Sequence, residues 1–385
     1  MPIFAANFTD VMGSISIKSF ITAVFSLFLV LFSAPVFAQH EGDHGAAPAA
    51  GHGDHAPKEG FNAKKVIFDH ILDAHEFHFF SYHDAEGKEH PVGIPLPVIL
   101  YSTTKGFSVF MSSKFEHGHA EYGGYKMEEG KIVSVDPSEK FFNLSLTRNV
   151  VQMILALTLL VIVMLSVAKT YKTGQGVKSA PSGKQNLIEV LVSFVRDEVA
   201  LPNLGHKAYK YLPFLLTVFF FILINNIFGL IPGTANVTGN IAFTAVMGLI
   251  SFVVILFSSN SHFWGHIFNP PGVPGFVKPI LVVVEFLGVF IKPFALIIRL
   301  FANMMAGHII IICLISLIFI FAEKINPAAG FASSVVSVAF TVFIYFIEVL
   351  VAFLQAFIFT VLSAVFIGQA FEGEHHHEEG AAAHH

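Results

Sequence analysis

The sequence predicts an all-α polytopic membrane protein with about five membrane helices plus one interfacial helix. The last two membrane helices form a long tilted hairpin, and a small N-terminal extracytoplasmic α/β-like region precedes the membrane part. Three observations carry this reading. Hydrophobic residues make up 54% of the chain, with 44 phenylalanines, and charged residues only 13%; a soluble domain has neither so much apolar surface nor so little charge. Between Tyr211 and Val277 there is no Asp, Glu, Lys or Arg, although ~20 residues suffice to cross a bilayer. Two further apolar segments, at 278–322 and 331–371, each run to about twice that length.

Residues 1–38 read as a signal peptide: Lys18 precedes an apolar run, and Val36 and Ala38 fit the positions before cleavage. Gln39 would then be the first mature residue. Asp10 is unusual in a leader and points to Met12 as the start; the rival reading is an uncleaved first membrane helix. Residues 39–60 are rich in Gly, Ala and Pro and carry His40, His44, His52 and His55, a disordered composition without fixed metal-ligand spacing. Residues 61–147 form the extracytoplasmic region. FDHILDAHEFHFF reads as amphipathic, and IPLPVILYS, GFSVFMSS and GKIVSVD as short strands. His70, His75, His78 and His83 read as surface or packing residues.

The membrane domain spans 148–371. Its first helix, Asn149 to Ala168, is followed by Lys169, Lys172, Lys178 and Lys184, which mark the cytoplasmic side. Residues 186–200 place Asn186, Glu189, Ser193 and Arg196 or Asp197 on one face, so this helix is expected to lie on the cytoplasmic surface. Pro232, Gly233 and Gly239 separate two further membrane helices, at 210–231 and 240–258. Asn225, Asn226, Asn236 and Asn240 cluster at the turn between them, where they either hydrate a cavity or cap helix ends. A Pro/Gly-rich loop at 269–275 returns the chain. Neither long segment has a polar turn in its middle, so each reads as one strongly tilted helix, with the hairpin turn at Asn326–Pro327. Residues 372–385 form a His/Glu-rich cytoplasmic tail.

Chemistry concentrates in the hairpin. Phe290 to Ile312 is apolar yet carries Arg299, Asn303 and His308. A charge near the bilayer centre costs at least ~2.5–3.5 kcal/mol, and arginine cannot avoid it by losing its proton. Glu348 is the only formal charge between Ile325 and Phe371. If both helices advance equally from the turn, His308 faces Glu348, Arg299 faces Gln355 and Glu285 faces Gln369. Arg299 and Asn303 share a helix face; His308 lies about half a turn around and roughly 13 Å along. Histidine and glutamate exchange protons near neutral pH when their surroundings tune them, whereas arginine acts as a fixed barrier. The pattern is a path with a gate: an outer polar pocket, a cation, and an inner pocket near Glu285 and Lys292. The bland alternative is a buried His–Glu pair that only stabilises the hairpin.

KPFALIIRLFANMMAGHII at 292–310, LQAFIFTVLS at 354–363 and TANVT at 234–238 resemble subunit a of the membrane sector of F-type ATP synthases; the likeness covers about 149–371. The resemblance implies a stator proton channel that is not itself catalytic and that faces the c-ring. Arg299 matches the essential arginine opposite the rotor carboxylate, and Asn303 and Gln355 match its polar neighbours. His308 and Glu348 match the outer half-channel pair with the two residue types exchanged, and Glu285 matches a glutamate of the cytoplasmic half-channel. Implied partners are c-ring rotor subunits, b-type peripheral stalk subunits, the rest of the synthase and the lipid bilayer. The implied location is a bacterial inner membrane, with the mature N-terminus periplasmic and the C-terminus cytoplasmic. Gly229 stands where the family is often acidic. No nucleotide-binding glycine loop occurs, and no cofactor or metal is expected. Cys313 is the only cysteine, and the net charge of −5 argues against nucleic acid. Competing readings are a secondary transporter binding an anion at Arg299, and a metalloenzyme or haem protein using His308.

Overall fold

The computed structural model describes residues 73–371, except 84–88, 119, 129, 137–138, 173–179, 182, 232, 260, 269–273 and 275. The expected leader, the His-rich segment, the start of the extracytoplasmic region, most of the Pro/Gly loop and the C-terminal tail lie outside the described residues.

Alternating apolar residues and turn-forming glycines give seven strands in three antiparallel sheets. Strand β1 (Glu76–His83) pairs with β2 (Glu89–Pro95). Strand β3 (Pro97–Ser102) is central between β4 (Gly106–Met111) and β7 (Phe141–Asn143). Strand β5 (Tyr125–Glu128) pairs with β6 (Lys131–Ser134). Val98 and Leu100 point inward onto Phe115, Tyr125 and Ile132. Beside this core the Glu139 carboxylate accepts from Ser102 Oγ (2.6 Å), Lys105 Nζ (2.8 Å), Tyr125 OH (3.1 Å) and Ser134 Oγ (3.1 Å). The Lys105 ammonium, with help from the three hydroxyls, holds its pKa down to about 2.

The expected strands correspond to β2–β3, β4 and β6. The segment read as amphipathic, 68–80, ends inside β1 (Glu76–His83), because a short apolar run satisfies both periods. Among the described residues of this region the only helix is the 3₁₀ segment Ser112–Gly118.

Strand β7 runs on beside β3, with Leu144 N–H donating to Ile99 O (2.9 Å) and Leu146 N–H to Pro97 O (3.2 Å). Only Thr147 then separates the sheet from helix α1 (Arg148–Lys172). Helix α2 (Lys184–Phe194) passes through a π-turn (Val195–Ala200) and a short helical turn (Leu201–Leu204). After Gly205, in the left-handed region at φ 51°, the chain becomes helix α3 (Ala208–Gly229). The segment expected as a separate helix over 186–200 is thus joined almost continuously to α3. Its expected polar face is also divided. Asn186 and Asp197 are exposed, while Glu189 takes a hydrogen bond from the Tyr171 hydroxyl and Ser193 bonds back to Glu189 O.

Helix α4 (Ile241–Ser258) is capped by Asn240, whose side chain accepts from Ala242 N–H. The short helix α5 (Ser261–Phe268) leads to α6 (Lys278–Lys324) and α7 (Pro327–Phe371). With 47 and 45 residues, α6 and α7 are each about 70 Å long, more than twice the hydrocarbon thickness. Among the described residues five helical segments are long and apolar enough to cross a membrane: Arg148–Lys172, Lys184–Gly229, Ile241–Ser258, Lys278–Lys324 and Pro327–Ala370.

Candidate functional site

Small residues let the hairpin close. A Cβ on Gly330 would collide with Ala322, and one on Gly307 with the Glu348 carboxylate. Glu348 therefore lies flat against α6 at the level of His308. Further along, Asn303 Nδ2 donates to Gln355 Oε1 at 2.9 Å. Lys292 Nζ donates to Gln369 Oε1 at 2.8 Å and stands 5.2 Å from the Phe366 ring centroid.

These contacts correct two of the expected pairs. Gln355 meets Asn303 rather than Arg299, and Gln369 meets Lys292 rather than Glu285. The expected register treated the helices as straight rods with equal advance. Helices that approach at particular glycines and cross do not keep that advance, and Pro293 lies inside α6, where the ring disrupts the helical ladder. The level of His308 with Glu348 survives because it lies nearer the turn.

The site residues fall into two environments. Glu348 and Gln355 are buried, at 6% and 2% exposure. Both Glu348 oxygens and His308 Nε2 are buried with no hydrogen-bond partner, so the two side chains share a level without bonding to each other. Arg299, Asn303 and Glu285 are exposed. Arg299 has neither a hydrogen bond nor an ion pair among the described residues, and exposed Phe294 and Ile298 flank it. The half-turn between Arg299 and His308 thus separates an open apolar face from a closed polar one.

Helix α3 and the turn after it complete the polar side. Asn226 Nδ2 donates to Ala352 O (2.9 Å), one turn past Glu348. Asn236 Nδ2 donates to Met304 O (3.2 Å), one turn before His308. The Tyr345 hydroxyl donates to Leu230 O (2.5 Å). Four further polar atoms are buried without a partner: Asn225 Oδ1, Asn226 Oδ1, Thr238 Oγ1 and Thr341 Oγ1. The question left open by the asparagines resolves by residue. Asn236 and Asn240 cap helical turns, whereas Asn225 and Asn226 each leave an amide oxygen aimed at nothing. An unpartnered buried polar group costs about 1–3 kcal/mol and a charged one more; among the described residues seven such atoms lie on α3, the turn after it, α6 and α7.

Thr341 went unremarked in the sequence. The signal was there, since Thr341, Glu348 and Gln355 follow one another at intervals of seven on α7 and so share a face. Gly307 gave no such signal, because its importance lies in what packs against it.

Comparison with known proteins fits this geometry. The family model described as ATP synthase A chain matches residues 150–368. A second, described as Domain of unknown function (DUF8433), matches residues 66–152. ATP synthase subunit a of Chloroherpeton thalassium is 48% identical over 244 residues, 62% of this chain and 70% of that protein. ATP synthase subunit a 2 of Chlorobaculum tepidum is 38% identical over 340 residues, 84% of this chain and 79% of its own. ATP synthase subunit a of a Chlorobium phaeobacteroides strain is 36% identical over 369 residues, 91% and 88% of the two chains. With five membrane-length helices, a polar hairpin and a family match over most of the membrane part, the chain belongs to the ATP synthase A chain family, the polytopic membrane subunit of the synthase.

Proposed function

We propose that this chain is the stator proton channel of an F-type ATP synthase, offering two offset half-channels to the c-ring and coupling proton flow to rotation and ATP synthesis. The observation that carries the reading is the pairing of opposites on one hairpin. His308 Nε2 and both Glu348 oxygens are buried without a partner, as are four polar atoms of Asn225, Asn226, Thr238 and Thr341, and the unpaired cation of Arg299 stands on an open apolar face of the same helix as His308.

Protons reach His308 and Glu348 from the periplasmic side through the asparagine-lined cluster and pass to a rotor carboxylate. The ring carries the neutral carboxyl through lipid until it meets the cytoplasmic pocket near Glu285. Arg299 then favours the ionised form. Two unit charges about 4 Å apart interact by ~4 kcal/mol at an effective dielectric constant of 20, roughly three pKa units. Asn303, held by Gln355, positions the polar surface beside the guanidinium. The same cation blocks direct passage between the pockets.

In this reading residues 1–38 are a signal peptide and 39–147 are periplasmic, including the His-rich segment 39–60. Residues 148–371 form the membrane domain and 372–385 a cytoplasmic tail in a bacterial inner membrane. The exposed apolar face around Arg299 meets the c-ring, and b-type peripheral stalk subunits hold the chain against rotation. The test is Arg299→Ala in the assembled synthase, reconstituted in vesicles. Proton-driven ATP synthesis is lost while subunit composition stays normal; near-normal synthesis would overturn the proposal.

A further inference from the structure

The strand region ahead of α1 carries a surface that the proton path does not use. Strands β3, β4 and β7 contain no charged residue. Their buried face packs on Phe115, Tyr125 and Ile132. The opposite face is apolar as well, which a sheet with one solvated side does not show.

Register defines that face. Tyr101 lies opposite Phe107 on one side and Phe142 on the other, and the Tyr101 and Phe107 rings are 4.8 Å apart. Ile99 lies opposite Val109, and Pro97 opposite Met111. The run-on of β7 adds Leu144 beside Ile99 and Leu146 beside Pro97. Directly opposed residues share a sheet face, so these make three rows across three strands. The exposures are high: Phe107 69%, Val109 67%, Phe142 52%, Met111 43% and Tyr101 38%.

Position decides what covers them. Leu146 is separated from α1 only by Thr147, and the junction is fastened by Arg148 N–H to Ala74 O and Asn149 N–H to Asp73 Oδ1. The Leu146 row therefore sits where α1 enters the bilayer, and α1 itself exposes the apolar stripe of Leu155, Leu159 and Ile162. The aromatic row lies about 13 Å further along the strands. Three strands by that length give a patch of a few hundred Å², below the ~800 Å² per partner of a standard protein interface but of the size that marks an interaction surface.

We propose that this sheet face is a membrane-docking surface: the sheet leans over from α1 and lays Phe107, Val109 and Phe142 into the headgroup–acyl boundary of the same leaflet. Apolar side chains with aromatic edges suit that zone, and Lys140, exposed just before β7, suits anionic headgroups. Docking fixes the angle of α1, whose Gln152 side chain bonds to both backbone groups of Ala235 in the turn beside the proton-path cluster. The sheet thereby braces that turn against the bilayer.

The test uses the assembled synthase in vesicles of phosphatidylethanolamine and phosphatidylglycerol, with Cys313→Ser and otherwise free of reactive cysteine. A nitroxide is placed at Val109→Cys, at Phe142→Cys and, as the aqueous reference, at exposed Lys131→Cys. Docking predicts that positions 109 and 142 collide freely with oxygen and poorly with a water-soluble nickel complex, in a ratio severalfold above that at 131. A ratio equal to that at 131 means the face is open to water and overturns the proposal. So does loss of both collisions with an immobilised label, the sign of a second copy or another protein on the face. The two sites are read independently, so failure of one variant to assemble leaves the other decisive.

Discussion

Replacing Gly307 by alanine probes the tightest contact in the hairpin. The new methyl carbon would stand 2.8 Å from Glu348 Cδ and 2.9 Å from its Cγ, against the ordinary carbon–carbon separation of ~3.5–4.0 Å. The Glu348 side chain must move by about 1 Å or the helices must part. Overpacking of this kind costs about 1–3 kcal/mol. Alanine returns up to ~1 kcal/mol of helix propensity, so the hairpin should still form. If most of the cost falls on bringing the carboxyl to the level of His308 for proton loading, turnover drops roughly 10- to 100-fold. The assay is ATP-driven acidification of vesicles containing the assembled synthase, with ATP hydrolysis of the detached head as control. The deficit should be relieved in part by Glu348→Asp in the same chain, because a carboxyl shorter by one methylene withdraws from the new methyl. Coupled pumping at the normal rate in Gly307→Ala would refute the reasoning, as would a double variant no better than the single one.

Two other outcomes follow from the same geometry. His308→Glu alone should impair proton-driven synthesis, and adding Glu348→His should restore part of it, measured as synthesis rate at fixed proton-motive force; equal impairment in the double variant with normal assembly would remove the pairing. Far from the hairpin, Glu139 has its folded pKa depressed by the Lys105 ammonium and neighbouring hydroxyls to about 2, below the usual carboxylate value of 4.5. Its stabilisation of the strand region is present above the unfolded pKa and lost as pH falls through the folded one. The protection of peptides spanning residues 97–143 against hydrogen exchange, taken relative to the unfolded chain at the same pH, should therefore fall between pH 4.5 and pH 2, and Glu139→Gln should be less protected at neutral pH with a smaller change on acidification.

Much of this architecture is legible because a bilayer imposes length on apolar runs. The five long helices and the hairpin at Asn326–Pro327 follow from where charge is absent. Side-chain pairing is less legible. Counting outward from the turn brings Glu348 to the level of His308 but misplaces Gln355 and Gln369, because the count cannot see how two helices cross. In the strand region β6 is read because its four residues sit in the longer alternating run GKIVSVD, whereas β1 begins in an apolar run that fits both periods, and β5 and β7, of four and three residues, offer too few positions to separate one period from another. The roles of Asn225 and Asn226 depend on which amide atoms find partners: Asn225 Nδ2 donates within its own helix to Phe221 O, whereas Asn226 Nδ2 reaches α7, more than a hundred residues away in sequence.

If His308 and Glu348 form the outer pair, as proposed above, the exchange of the two residue types and the glycine at 229 share an explanation in the packing. A Cβ on Gly229 would lie 3.6 Å from Asn236 Oδ1 and 3.8 Å from Ala235 O, so an acidic side chain there would point at two oxygen acceptors and could be held only as a donor, in its protonated form. The cluster contains amides and hydroxyls instead, which on the proposed path would pass a proton through water without storing one. Among the described residues Glu348 and His308 are then the titratable side chains in the cluster. A site that concentrates titration in one pair tolerates exchange of the two members and penalises loss of either. Such a chain should be more sensitive to substitution at 308 or 348 than relatives that carry an additional carboxylate at the position of Gly229.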